Sequence, residues 1–144
     1  MPFLTTITVV GLVVLAGLVW LFMRTRQQDL IADIIAKRKA SSKLVARAEY
    51  VEGMEKIQVA LSLTDTAIYY QNPDIDASCD LKDIEEIEYD DELVTGRAVL
   101  HGCRALRLRS HGHTFEFILQ PAECQRWMAA LPAHHADEPT ARTA

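Results

Sequence analysis

The chain has 144 residues and a formal net charge of −5, enough beyond one membrane span for a single modest domain. The charge is divided: residues 24–50 hold seven Lys/Arg against three acids, a net of +4, and residues 51–144 hold eight against seventeen, a net of −9. An acidic domain repels phosphate, which excludes nucleic acid as its natural partner, and three cysteines (Cys79, Cys103, Cys124) at no metal spacing do not make a disulfide framework and suit a reducing compartment.

Phe3–Met23 reads FLTTITVVGLVVLAGLVWLFM without a charge. As a helix it is about 31 Å long, the thickness of a bilayer's hydrocarbon. Thirteen of its residues are Leu, Ile, Val or Phe, together favouring insertion by about 5 kcal/mol. Trp20 falls near the end, at headgroup level. A cleaved signal peptide is the rival reading. It wants a basic start, a shorter apolar run and a small-x-small site, whereas this run continues into Trp-Leu-Phe-Met-Arg-Thr-Arg. Residues 3–23 are therefore expected to form a transmembrane helix. Arg24 and Arg26 flank its C-terminal end, so the positive-inside bias places the N-terminus outside and the rest in the cytoplasm, on the inner or plasma membrane.

Residues 24–43 are expected to form a basic amphipathic juxtamembrane helix. Leu30, Ile31, Ile34 and Ile35 make one apolar stripe, and Lys37, Arg38 and Lys39 follow where cations complement the helix dipole. Two surfaces accept that stripe: the following domain, or an anionic leaflet to which Arg24, Arg26, Lys37, Arg38 and Lys39 contribute attraction. Ser41-Ser42 reads as the break before the domain.

From Lys56 the period changes to two. Ile57, Val59, Leu61 and Leu63 alternate with Gln58, Ala60 and Ser62 as a half-buried strand. Thr64-Asp65-Thr66 turns, and Ala67–Gln71 follows with Ile68 and Tyr70 on one face. After Asn72-Pro73-Asp74 comes a third strand through Ala77, Cys79 and Leu81, and a less regular fourth at Ile84–Tyr89. Beyond an acidic loop, Arg97–Arg109 turns Leu106 and Leu108 inward and Arg107 and Arg109 outward. Ser110–His113 is a turn, and Thr114–Leu119 returns with Phe115, Phe117 and Leu119 inward. Pro121, Glu123 and Pro132 bracket a helix with Cys124, Trp127, Met128 and Leu131 on its apolar face. Residues 132–144 read as a disordered tail. The fold class is α+β: antiparallel strands forming a small sheet or barrel, then a capping helix.

The segments VALSLTDTAIYY, CDLKDIEEIEY, LRLRSHGHTFEFIL and CQRWMAAL, in that order, resemble a pleckstrin-homology-like (PH-like) domain of the GRAM and bacterial kind over residues 44–131. The resemblance implies a bent seven-stranded sheet closed at one end by the Trp helix. It also invites a phosphoinositide ligand, held in that family by Lys/Arg in and around the first hairpin loop. Thr64-Asp65-Thr66, taken as that loop, carries no basic residue, and Asp74, Asp76, Asp80 and Asp83 surround it, so the headgroup is disfavoured.

The densest charge feature is Asp83, Glu85, Glu86, Glu88, Asp90, Asp91 and Glu92. Its simplest meaning is a solvated strand edge that resists edge-to-edge pairing; its functional meaning is a docking surface for a basic partner. His111 and His113 with Cys103 read as a hairpin tip and a core thiol sooner than a metal site. No nucleophile, phosphate-loop, dinucleotide or zinc motif occurs, so neither catalytic residues nor cofactors are expected. The functional expectation is a membrane-anchored, non-enzymatic module presenting its domain to a protein partner. The alternatives are anionic-lipid sensing through the basic helix and an accessory role in a larger membrane complex.

Overall fold

The structure is a computed structural model that describes residues 2–99 and 102–134. Its first element is one helix, α1, running unbroken from Pro2 to Lys39. Proline is favoured at a helix start, and Lys37, Arg38 and Lys39 occupy the last turn. The span tolerates its threonines because the hydroxyls of Thr5, Thr6 and Thr8 donate to carbonyls three or four residues back, at 2.7–2.9 Å. The juxtamembrane segment is therefore no separate helix. No helix-breaking residue separates Met23 from Ile31, and the hydrogen-bond ladder passes straight through.

Seven antiparallel strands follow: β1 (Leu44–Glu52), β2 (Glu55–Leu63), β3 (Ala67–Gln71), β4 (Asp76–Asp80), β5 (Ile84–Asp90), β6 (Arg104–Ser110) and β7 (His113–Leu119). A short 3-10 turn, Leu81–Asp83, separates β4 from β5, so Leu81, expected in the third strand, lies outside β4. The order across the sheet is β4-β3-β2-β1-β7-β6-β5. β1 is central: Ala48 faces Val59 of β2 on one side and Leu119 of β7 on the other. The sheet curls into a half-barrel. Tyr70 of β3 lies 5.2 Å from Phe117 of β7, ring centre to ring centre, although two strands separate them in the order.

The concave side holds the main core: Val59, Leu61, Leu63, Ile68, Leu106, Leu108, Phe117 and Leu119. The second helix, α2 (Pro121–Ala130), packs against β1 and buries Cys124 and Trp127 there. Met128, expected on its apolar face, remains exposed. The convex side is covered twice. Over β6 and β7 the loop from Asp91 to Val99 lays Leu93 on Ala105 and Ile118, with Cys103 beside them. Over β1–β3 lies the C-terminal part of α1, burying Ile31. Ala60 and Ser62, expected on a half-exposed face, are buried at 1% and 0% exposure. They sit in register with Arg47 and Gln71, and with Val45 and Tyr69, on the side that α1 covers.

The tail is not free along its whole length. His134 exchanges two backbone hydrogen bonds with Ile87, 2.7 and 2.8 Å, on the outer edge of β5, and Tyr89 donates its hydroxyl to the Leu131 carbonyl at 2.6 Å. The remainder of the expected disordered tail, residues 135–144, lies outside the described residues.

Candidate functional site

The apolar span offers the largest unsatisfied surface. Large apolar residues from Phe3 to Met23 are each more than half exposed, and none packs on the domain. A soluble monomer does not leave such a surface in water. The guanidinium of Arg24 lies 5.3 Å from the centre of the Trp20 ring, a cation–π contact at the end of the apolar stretch.

Because α1 is straight through this region, its rise places each basic residue. With Met23 at the hydrocarbon edge, Arg24 and Arg26 stand about 1.5 and 4.5 Å beyond it, within a headgroup layer of about 5–7 Å. Lys37 stands about 21 Å beyond. That is about 14 Å clear of the headgroups upright and about 9 Å at a 40° tilt, still past a Debye length of about 8 Å. Measured along α1 from Met23, the five cations expected to share a membrane surface fall into a near pair and a far trio. Arg38, moreover, is committed to the sheet: its Nε donates to Gln71 Oε1 at 2.7 Å and its guanidinium stacks 4.3 Å over Tyr69. The apolar stripe resolves toward the domain, with Ile31 buried and Ile34 and Ile35 half-buried.

A cavity of about 550 Å³ lies between the C-terminal part of α1 (Ile34, Lys37, Arg38) with Ser41 just after it and the β3–β4 turn (Gln71, Asn72, Asp76). It mixes two cations with a carboxylate, and Arg38 is already bonded across it.

Asp83 sits in the 3-10 turn before β5, and the rest of the acid cluster takes its place on that edge strand and the loop after it. Register then decides what it faces. Glu88 lies opposite Arg107, which lies opposite Glu116, and Glu86 lies opposite Arg109. Arg107, with 16% of its side chain exposed, donates to Glu88 at 2.9 Å, Asp90 at 3.5 Å, Glu116 at 3.4 Å and the Glu92 carbonyl at 3.0 Å. Arg109 lies 3.8 Å from both Glu85 and Glu86, and His111 3.6 Å from Asp83. Burial alone would lower the Arg107 pKa, but the bond to Glu88 and the surrounding carboxylates carry it upward. The Glu92 backbone N–H holds Asp90 below its usual range. Most of the predicted docking acids are therefore engaged within the domain, and Asp91 and Glu92 present exposed side chains.

His111 and His113 do not come together with Cys103. Both histidines line a cleft with Cys79, Asp83 and Ser110, whereas Cys103 packs under the loop from Asp91 to Val99. Burial raises the pKa of Cys79 and of Cys124, which leaves them as thiols and poor nucleophiles at neutral pH. Among the described residues no cluster of three or more His, Cys, Asp or Glu is disposed to hold a metal.

A long apolar N-terminal helix, a curled antiparallel sheet and a C-terminal helix fit a PH-like arrangement. Comparison with family models, curated proteins and solved structures finds no match. The geometry also corrects which loop the family resemblance designates. β1 is a strand, so the first hairpin turns at Gly53-Met54 and the Thr64–Thr66 turn is the second. Glu52 and Glu55 close that first hairpin as a facing pair, with Lys56 next to them, so this loop too is net acidic.

Proposed function

We propose that the chain is a single-pass, membrane-anchored, non-enzymatic interaction module of PH-like fold. Its N-terminus lies outside, and its domain faces the cytoplasm to engage a protein partner. One observation carries the reading: a single unbroken helix joins the apolar span to the sheet, and its last part is packed as a component of the domain. A signal peptide is discarded from its protein, whereas this helix continues without a break from span to domain. Arg24 and Arg26 at the inner end of the span support the orientation.

The reading is tested in cells by the mass of the mature chain and by protease accessibility. It expects a product that retains residues 1–23 and resists alkaline extraction. Residues 51–131 should be protected in intact cells and digested in inverted vesicles. Removal of residues 1–23, or digestion in intact cells, would overturn it. Purification in mild detergent should then retain a specific protein partner through the domain.

A further inference from the structure

The docking of α1 on the sheet brings a residue of β1 down to the membrane. The Arg47 Nη2 donates to the carbonyl of Gln28 at 3.2 Å. Gln28 is five residues past Met23, about 7.5 Å along the helix and so at the outer limit of the headgroup layer. Arg47 is half-exposed there, and among the described residues no carboxylate lies within salt-bridge distance of it. Arg24 and Arg26 stand below it on the helix, exposed and likewise without an acidic partner.

We infer that Arg47 is a further contact for the phosphates of anionic lipids, separate from those open to Arg24 and Arg26 on the helix, and that Lys37 and Lys39 take no part in it. Guanidinium groups suit this role because their planar fork of donors matches a phosphate's oxygens. Arg47 spends one donor on Gln28, which fixes its height and leaves the rest of the fork for the lipid. The sheet itself thus acquires a foothold on the leaflet, at a residue far in sequence from the span. Contact with lipid at Arg47 requires α1 to be docked, so binding anionic lipid and holding the domain against its stalk become one equilibrium. The inference rests on the membrane anchoring proposed above.

Thermal unfolding of the full chain in phosphatidylcholine nanodiscs, with and without phosphatidylglycerol, tests it. One arginine at an anionic surface should raise the midpoint by about 4–8 °C when phosphatidylglycerol is present. Arg47→Gln should abolish that increment, Arg47→Lys should restore part of it, and the double variant Lys37→Gln/Lys39→Gln should keep it. Because Arg47→Gln also loses the bond to Gln28, its lower midpoint in phosphatidylcholine alone is the baseline, and only the lipid-dependent difference counts. The inference is overturned by an increment that survives Arg47→Gln, by one lost in the lysine variant, or by inorganic phosphate reproducing the effect of the lipid. A chain that does not co-float with the nanodiscs overturns the anchoring itself, a separate and recognisable outcome.

Discussion

Arg107 is the residue on which the acidic half of the domain turns. It sits mid-strand between two glutamates, Glu88 and Glu116, and also reaches Asp90 and the Glu92 carbonyl. Glu116 is buried to 7% exposure and also accepts the Val94 N–H at 3.0 Å, so one cation ties β5, β7 and the loop after β5 together. Replacing one partner of a buried pair strands the other charge, at a cost of about 3–5 kcal/mol when burial is complete. Arg107 retains some exposure, so Arg107→Met is expected to cost about 2–3 kcal/mol, read from denaturant unfolding. The sign of the acid dependence follows from Asp90. Its pKa is depressed in the folded state, so its contribution is present above the ordinary carboxylate pKa and fades as pH falls through the lower folded value. Stability should decline below about pH 4, and Arg107→Met should leave most of that decline in place, because the backbone N–H of Glu92 is the first cause of the Asp90 shift. A variant as stable as the parent would show that the network holds nothing together.

At the scale of elements, β5 is an edge strand that the chain partly closes with its own C-terminal segment. The two hydrogen bonds between Ile87 and His134 are strand addition one residue pair long. Shortening the chain to end at Pro132 removes them while keeping the Leu131 amide carbonyl that Tyr89 engages. The Ile87 amide should then exchange with solvent markedly faster, with about 1–2 kcal/mol of local protection lost, whereas a chain ending at His134 should keep its protection. Equal exchange in both chains would mean the tail is not paired.

The strands that carry the core were legible in the sequence because large apolar residues alternate along them, as Phe115, Phe117 and Leu119 do. β1 was not. Leu44 and Tyr50 face the core at its ends, but the inward positions between them are Ala46 and Ala48, small on the side where α2 packs and Trp127 is wholly buried, and they interrupt the hydrophobic alternation. The cover over Ala60 and Ser62 was hidden for the same reason: a helix can approach the sheet there because the side chains are small. Polarity was a further mask, since Ser62 is buried with no hydrogen-bond partner among the described residues. The acid cluster could be placed at an edge from composition alone. Its engagement with Arg107 and Arg109 depends on register across β5, β6 and β7, and a single strand's sequence does not contain its register. Arg47 gave no signal at all, since its role depends on where a distant helix docks.

On the scale of the whole molecule, one continuous helix carries both an exposed apolar surface and a component of the domain. α1 is apolar surface with nothing to pack on as far as Met23, then a component of the domain from Ile31 onward. These parts should separate cleanly under truncation. Residues 3–23 make no buried contact with the sheet, so removing residues 1–23 should give a soluble domain whose sheet is as stable as before. A helix of residues 24–39 alone is too short to hold its shape in water. It should nonetheless remain helical in that fragment, because Ile31, the Arg38 bonds to Gln71 and Tyr69, and Arg47 with Gln28 keep it on the sheet. Removing residues 1–39 instead uncovers Ala60, Ser62 and Tyr69 and forfeits the burial of Ile31, a loss of about 2–3 kcal/mol. Circular dichroism and denaturant unfolding of the two fragments therefore give opposite expectations for one helix: full stability with helical signal for 24–144, and a lower midpoint for 40–144. If both fragments unfold at the same midpoint, the helix is a mere tether, and the coupling of domain to membrane falls with it.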